Sequence, residues 1–320
     1  MMGAASALLP LAAAESEPKR AATGGRVALD GPLAVAGSKL LKVVTFTKLT
    51  IAVGASRPFR AIHCSDTHLN FMTVGDLLSA KVEKDLQMYE GRRLQHNTLA
   101  PFAACVLKAR LLGAPLLHTG DVWDYHCAAN GLIAQDAFAQ AGDVFYAIGN
   151  HEMHGHWQTA PDLDFDVCRA QIQPYLPNSA LCAARVINGI DFVAFDDTGY
   201  SVARQDEIEH FVRAEFAKGL PVILMVHQPF MTDEVFSDLA EAKGPFAGDK
   251  KMPTHHVSGY LYGSLKHERA FVDWMLGRPN LKAVLCGHLH AEAQYRLSDS
   301  VTQYCAGAAM KGQAYEISFT

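Results

Sequence analysis

Residues 59–68, FRAIHCSDTH, and residues 115–124, PLLHTGDVWD, show the pattern that decides the fold: a short apolar run with polar residues directly behind it. A short apolar run that ends in turn residues is typical of a buried β-strand. The same pattern returns at residues 144–152 (VFYAIGNHE), 222–229 (VILMVHQP) and 283–290 (AVLCGHLH). Helical patterns lie between these runs, so the sequence predicts a fold of layered sheets and helices.

Further strands are predicted before, between and after these runs, at Leu41–Phe46, Lys48–Val53, Arg185–Ile187, Asp191–Phe195, Val301–Cys305 and Ala314–Phe319. Between two of them, Asn188-Gly189 predicts a type I′ hairpin turn. Helices are predicted at about Gly75–Glu90, Thr98–Leu112, Gly131–Ala141, Leu163–Gln173, Gln205–Lys218 and Leu265–Leu276, with Asn97 and Ser264 as N-caps.

The composition is that of an ordinary globular protein. Of the 320 residues, 49% are hydrophobic and 19% are charged, which excludes wholesale disorder. A net charge of -5 without a Lys/Arg cluster argues against a nucleic-acid-binding surface. No apolar run is long enough for a transmembrane helix. The seven cysteines form no C-x-x-C pair, and we expect most of them to be buried thiols.

The chain divides into a lead-in, residues 1–38, and one domain, residues 39–320, in which residues 231–263 are predicted to form a lid loop. The lead-in opens with an apolar stretch, residues 1–14, that ends like a signal cleavage site but lacks a preceding basic segment. One interpretation is a truncated signal peptide, which makes the protein periplasmic or exported. The other is a disordered, alanine-rich tail on a cytoplasmic protein.

The polar clusters behind the strands suit a metal site. Side chains at the carboxyl ends of neighbouring strands converge on one crevice. Asp, Asn and His are ligands for Mn, Fe, Zn or similar ions, and the clusters contain no cysteine. In DTH (residues 66–68) and HLH (residues 288–290), extended backbone would send the first and third side chains to the same side. Two metals at close range would also need a bridging carboxylate.

The ordered set D-x-H, G-D-x-x-D, G-N-H-E, H and G-H-x-H resembles the calcineurin-like metallophosphoesterase family, and the resemblance spans residues 59–290. It implies an α/β (α+β) fold: a four-layer αββα sandwich of two mixed β-sheets flanked by helices. It also implies two divalent or trivalent metal ions as cofactors. The ligands carried over are Asp66, His68 and His290 for one metal, Asn150, His227 and His288 for the other, and Asp121 as the bridge.

The resemblance further implies a catalytic role for His151, which would stabilise phosphoryl oxygens or protonate the leaving group. Asp124 is expected to orient a ligand or the adjacent loop rather than to bind metal. The function implied is hydrolysis of a phosphomonoester or phosphodiester, with a small phosphate ester as substrate and a metal-bridging hydroxide as nucleophile. Two alternatives remain: a pyrophosphatase acting on a nucleotide-linked compound, and a non-catalytic scaffold on the same fold. The oligomeric state is open.

Other polar residues have a functional and a plainer interpretation. His154 and His156 would line the pocket or simply follow a ligand, and His255-His256 would touch substrate from the lid or be exposed. Asp196-Asp197-Thr198 would neighbour the site or form a turn. For His63 and His118, inside apolar strands, core packing is favoured.

Overall fold

The structure is a computed structural model that describes residues 32–71, 97–153, 165–198, 204–230 and 266–320. Several predicted features lie outside these residues: the helix at 75–90, the lid loop 231–263, the N-cap Ser264, and the histidines His154, His156, His255 and His256.

Two mixed β-sheets form the centre of the fold. The first sheet has the order β1-β11-β2-β3-β4 and contains Thr45–Ile51 (β1), Phe59–Cys64 (β2), Leu116–His118 (β3), Val144–Tyr146 (β4) and Gln313–Phe319 (β11). The second has the order β5-β6-β7-β8-β10-β9 and contains Cys182–Ile187 (β5), Ile190–Phe195 (β6), Val222–Met225 (β7), Leu281–Cys286 (β8), Ala293–Arg296 (β9) and Thr302–Cys305 (β10). Strands β2, β3 and β4 run parallel, as do β6, β7 and β8.

The helices are Pro32–Leu41 (α1), Leu99–Leu112 (α2), Ala128–Ala141 (α3), Phe165–Ile172 (α4), Gln205–Ala217 (α5) and Lys266–Leu276 (α6), with 3₁₀ turns at His151–Met153, Gln173–Tyr175 and Ala309–Lys311. At the start of α2, Asn97 Oδ1 accepts a hydrogen bond from Ala100 N at 3.2 Å. This is the capping bond predicted for Asn97.

Apolar side chains alternate between the two faces of each strand and so define four layers. Leu117 and Phe145 of the first sheet pack against Phe192 and Ile223 of the second, which forms the core between the sheets. The residues next in sequence point the other way, towards helices. Those of the first sheet pack against α2 and α3, and those of the second against α5 and α6. The predicted four-layer αββα sandwich is confirmed.

Two parts of the strand prediction are wrong. Leu41–Phe46 and Lys48–Val53 are not two strands, because Leu41 ends helix α1 and a single strand, β1, follows. A short apolar run fits a helix end as well as a strand, and here Leu40 packs against the α2–α3 layer. Helix α1 also begins inside the predicted lead-in. Strand β9 was missed because AQYR, although it alternates apolar and polar residues, is only four residues long.

Several local predictions are confirmed. Asn188 (φ 48°) and Gly189 (φ 82°) both adopt the left-handed conformation that a type I′ turn between β5 and β6 requires. All seven cysteines lie in the described residues and are free thiols. In the described part of the chain, no helix has the length and apolar character needed to cross a membrane.

Candidate metal centre

The predicted site residues, which are the metal ligands together with Asp124 and His151, follow on parallel strands of both sheets. Asp66 and His68 follow β2, Asp121 and Asp124 follow β3, Asn150 and His151 follow β4, His227 follows β7, and His288 and His290 follow β8. The Asp and His ligands and His151 are buried, with at most 8% of each residue exposed. Three groups of potential ligand atoms result, each within 4.8 Å: Asp66/His68/His290, His68/Asp121/His151 and Asp121/His227/His288.

The backbone at these ligands is unusual. Asp66, His68, Asp121, His288 and His290 all have positive φ, between 50° and 68°. The extended backbone predicted for residues 66–68 and 288–290 is therefore wrong at the ligands themselves. Non-glycine residues adopt this conformation rarely, and it persists where surrounding contacts enforce it, often at functional sites.

The first group of donors converges on a point between β2 and β8. Asp66 Oδ1 lies 3.1 Å from His290 Nε2 and 3.7 Å from His68 Nε2. The two imidazole Nε2 atoms are 3.0 Å apart. A carboxylate oxygen and two imidazole nitrogens that face one another form a donor set suited to a divalent cation.

The second group, Asp121, His227 and His288, lies beside the first. Asp121 Oδ2 lies 3.2 Å from His227 Nε2 and 3.7 Å from His68 Nε2. His227 Nε2 in turn lies 3.2 Å from His288 Nδ1. Asp121 thus stands between the two groups, in the place that a bridging carboxylate requires.

Asn150, predicted as a further ligand, follows Gly149 at the end of the β4 segment. Its Oδ1 is buried and accepts no hydrogen bond from the residues that the structure describes. Buried polar atoms normally have a partner. An amide oxygen in this position fits a metal ligand, so the oxygen and nitrogen donors present suit a divalent cation.

Surrounding groups aim the histidine rings. Asp124 Oδ1 lies 2.8 Å from His68 Nδ1, and the carbonyl oxygen of Thr119 lies 2.7 Å from His227 Nδ1. Because both oxygens accept, each Nδ1 donates and each Nε2 faces the centre. Metal-binding histidines usually have such a second bond, which fixes the tautomer.

His151 is anchored by both its backbone and its ring. Its backbone N donates to Asp121 Oδ1 at 2.8 Å, and Nδ1 lies 2.9 Å from the carbonyl oxygen of Asp124. The Nε2 atom lies 4.0 Å from Asp121 Oδ2. The Nε2 atom of His151 therefore faces the same centre as the predicted ligands.

In the metal centre, neighbouring opposite charges counteract the effect of burial on the pKa values of the ligands. Burial alone would raise the pKa of Asp66 and Asp121, yet His290 beside Asp66 and His227 beside Asp121 hold both pKa values well below the usual range. Burial would lower the pKa of His227, but Asp121 raises it to about 10. A cation bound here would replace that proton, since metal and proton compete for imidazole nitrogen.

Two acidic residues outside the predicted ligand set hold the ligand loops. The carboxylate of Glu152 accepts hydrogen bonds from the backbone N of Gly149 (2.8 Å), Asp121 (3.1 Å) and Val122 (2.6 Å). The position of Glu152 in G-N-H-E, directly after His151, was the signal in the sequence that could have identified it.

Asp197 holds the loop after β7: its Oδ1 accepts a hydrogen bond from His227 N at 3.1 Å. Burial raises the pKa of Asp197 to about 7. The Asp196-Asp197-Thr198 segment therefore does neighbour the site.

Two glycines let these loops approach closely. A Cβ on Gly149 would overlap the backbone N of Asp121, and one on Gly287 would overlap the side chains of Ser65 and Asp66. Neither glycine has a positive φ. Glycine is required at these two positions because a side chain would not fit, and not because the backbone adopts a left-handed turn conformation.

The chain is similar to one protein family and to several solved structures. A profile of the calcineurin-like phosphoesterase family matches residues 59–292, more than half of the chain. Among curated proteins, none matches. The solved structures similar to this chain include a dimetal phosphatase from Danio rerio, with 11% identity, a TM-score of 0.44, and 79% of this chain and 88% of that chain covered.

Two further solved structures are similar to this chain and differ in the share of their own length that the match covers. The calcineurin-like phosphoesterase YfkN from Bacillus subtilis has 11% identity and a TM-score of 0.38, with 79% of this chain and 82% of that chain covered. A 5′-nucleotidase from Candida albicans has 13% identity and a TM-score of 0.38, with 83% of this chain and 47% of that chain covered. The family profile spans every ligand-bearing loop described above, and on that ground the chain belongs to the calcineurin-like phosphoesterase family.

Proposed function

We propose that this protein is a phosphoesterase that works with two metal ions and hydrolyses a phosphomonoester or a phosphodiester. Family membership supports the phosphoesterase activity. The observation that carries the two-metal proposal is the position of Asp121, whose Oδ2 is within 3.7 Å of His68 and 3.2 Å of His227. One carboxylate oxygen is thus in reach of both ligand groups.

The residues divide into two ligand sets that share this aspartate. Asp66, His68 and His290 would hold one metal, Asn150, His227 and His288 the other, and Asp121 would belong to both. When bound, such metals neutralise phosphoryl oxygens and lower the pKa of water. The N/O donor set suits Mn, Fe, Zn or similar ions.

His151 would supply what the ligands do not: an imidazole nitrogen, Nε2, that faces the centre, 4.0 Å from Asp121 Oδ2, and acts on the substrate. Its ring is held through Nδ1 by the carbonyl oxygen of Asp124, so Nε2 points to the centre in a fixed orientation. From there it would donate a hydrogen bond to a phosphoryl oxygen or a proton to the leaving oxygen. Burial of the surrounding side chains strengthens each of these polar interactions.

The proposal is tested on the apo-protein with Mn, Fe, Zn and Co supplied one at a time. Bound metal is counted by elemental analysis, and turnover is measured with an aryl phosphomonoester, an aryl phosphodiester and a nucleoside diphosphate ester. We expect two metals per chain and hydrolysis of one of the first two substrates. Turnover of the diphosphate ester alone would favour the pyrophosphatase, and metal binding without turnover would favour the scaffold.

Asp121→Asn tests the bridge directly, because it keeps the shape and removes the charge. We expect loss of one or both metals and a fall in kcat of several orders of magnitude. Asp143→Asn is the matched control, since Asp143 pairs with Arg185 at the surface. An Asp121→Asn variant with two metals and more than about a tenth of the wild-type rate would overturn the bridging role.

A further inference from the structure

Two fully buried histidines lie in the strands beneath the metal centre. His118 in β3 packs within an aromatic cluster, with ring centroids 5.9 Å from Phe102, 6.0 Å from Phe138 and 5.6 Å from Tyr146. His63 in β2 packs 6.0 Å from the ring of Tyr315. A phenylalanine would fill such surroundings without the cost of burying ring nitrogens. The nitrogens therefore need an explanation that core packing does not provide.

Each histidine bonds to the threonine that follows the other strand. His63 Nε2 lies 2.9 Å from Thr119 Oγ1, and His118 Nε2 lies 2.8 Å from Thr67 Oγ1. Strands β2 and β3 are parallel neighbours, so the two bonds cross between the loops that leave them. We call these contacts the crossed His–Thr pairs.

The protonation of His118 follows from a third contact. The backbone N of Gly120 donates to His118 Nδ1 at 3.2 Å. Nδ1 therefore accepts, which places the ring hydrogen on Nε2, where it is donated to Thr67 Oγ1. Burial lowers the pKa of His118 to about 3, so the ring stays neutral. One imidazole thus holds both loops at once.

These loops carry the strained ligands. Thr67 stands between Asp66 and His68, and Thr119-Gly120 directly precedes Asp121. All three ligands have positive φ. Backbone bonds align the loops, from Asp66 N to the carbonyl oxygen of Gly120 and from His68 N to that of Asp121, both 3.0 Å. Such strained conformations persist only when neighbouring contacts enforce them, and the crossed His–Thr pairs supply side-chain contacts on both loops.

We propose that His63 and His118 are positioning residues, which through the crossed His–Thr pairs hold the two ligand loops in their metal-binding conformation before a cation arrives. The proposal rests on the proposed function, since it assumes that these loops bind metal. It extends the role of the two histidines beyond core packing. A preorganised donor set binds more tightly because less ordering is left to occur on binding.

The test measures Zn²⁺ binding to the apo-protein by isothermal titration calorimetry. Thr67→Val and Thr119→Val each remove one hydroxyl while keeping the branched shape. We expect the Zn²⁺ affinity to fall about 10–100-fold in each, the usual effect of losing a group that supports a ligand. Thr67→Ser and Thr119→Ser keep the hydroxyl and should stay within a few-fold of wild type. Thr302→Val, on strand β10, is the control and should bind Zn²⁺ like wild type.

His118→Phe separates positioning from packing, because phenylalanine fits the aromatic cluster but has no ring nitrogen. We expect it to lose at least as much Zn²⁺ affinity as Thr67→Val, because it also removes the bond from Gly120 N. The double variant should lose little more than His118→Phe alone, since that change already removes the bond to Thr67. Urea unfolding of each apo-variant shows that it is folded. If His118→Phe does not fold, His118→Gln, which keeps a donor near the Nε2 position, replaces it and should lose less affinity.

The outcomes separate this inference from the proposed function. The positioning role would be overturned if the valine variants and His118→Phe fold and bind Zn²⁺ with wild-type affinity. In that case, hydrolysis of a phosphate ester by the wild-type protein would leave the phosphoesterase proposal standing. A wild-type protein that binds Zn²⁺ but hydrolyses no phosphate ester would refute the proposed function alone. Valine variants that unfold while their serine counterparts bind Zn²⁺ normally would also overturn the inference, because the hydroxyls would then serve folding.

Discussion

Replacing Glu152 with glutamine should weaken both the fold and the metal centre. In the native protein, Glu152 Oε2 accepts from the backbone N of Gly149 and Asp121, and Oε1 accepts from Val122 N at 2.6 Å. Glutamine has one acceptor oxygen in place of two, so its amide NH₂ must face at least one backbone N–H. The loops after β3 and β4 then lose part of the link between them.

The size of the effect follows from the bonds that are lost. A hydrogen bond to a charged group contributes about 1.5–3 kcal/mol, and a buried donor without an acceptor costs about 1–3 kcal/mol. We therefore expect Glu152→Gln to lower the free energy of unfolding by roughly 2–4 kcal/mol. Because Asp121 is one of the residues held, we also expect about 10–100-fold weaker metal binding.

The assay is urea unfolding of the apo-protein together with calorimetric Zn²⁺ titration, both at pH 8. Burial and the charge of Asp121 raise the pKa of Glu152 to about 7, so its carboxylate is ionised at this pH. Glu316→Gln is the matched control, because the buried carboxylate of Glu316 pairs with the side chains of Arg60 and Lys108. It should lose stability but keep its Zn²⁺ affinity. A Glu152→Gln variant within about 0.5 kcal/mol and two-fold of wild type would refute the reasoning.

Three further predictions concern other parts of the molecule. His151→Gln should keep both metals and lower kcat by about 10²–10⁴-fold, most for esters of poor leaving groups, since those need a proton; equal losses across leaving groups would show charge stabilisation instead. Gly287→Ala should abolish metal binding measured by elemental analysis, because a Cβ there overlaps Ser65; normal metal content would contradict this. Burial raises the pKa of Asp191 to about 6 from 3.8, which means that the folded protein favours the protonated carboxyl. The stability that this protonated carboxyl contributes is complete below pH 4 and is lost as the pH rises through 6. Lys218, 3.7 Å away, opposes that loss; Lys218→Met should therefore cost more stability at pH 8 than at pH 4 in urea unfolding, and equal costs at both would refute the pairing.

The sequence alone determined the features that depend on local pattern. Apolar runs followed by polar clusters predicted the strands and the loops at their ends, because a buried strand has to end in turn residues. Asn188-Gly189 predicted its hairpin since those residue types tolerate positive φ. The ordered motifs supported the family and its ligand set, and the family and four-layer fold are now established.

Only the tertiary structure decided how the ligands are held. The left-handed backbone at Asp66, His68 and Asp121 occurs where loops from different strands meet. The bonds from Asp121 N and Val122 N to Glu152 and the crossed His–Thr pairs likewise join loops that leave different strands. Helix α1 and edge strand β9 were likewise decided by packing against distant elements. Periodicity and spacing describe each segment separately, whereas backbone strain and buried hydrogen bonds depend on which segments meet, and that is known only once the sheets have formed.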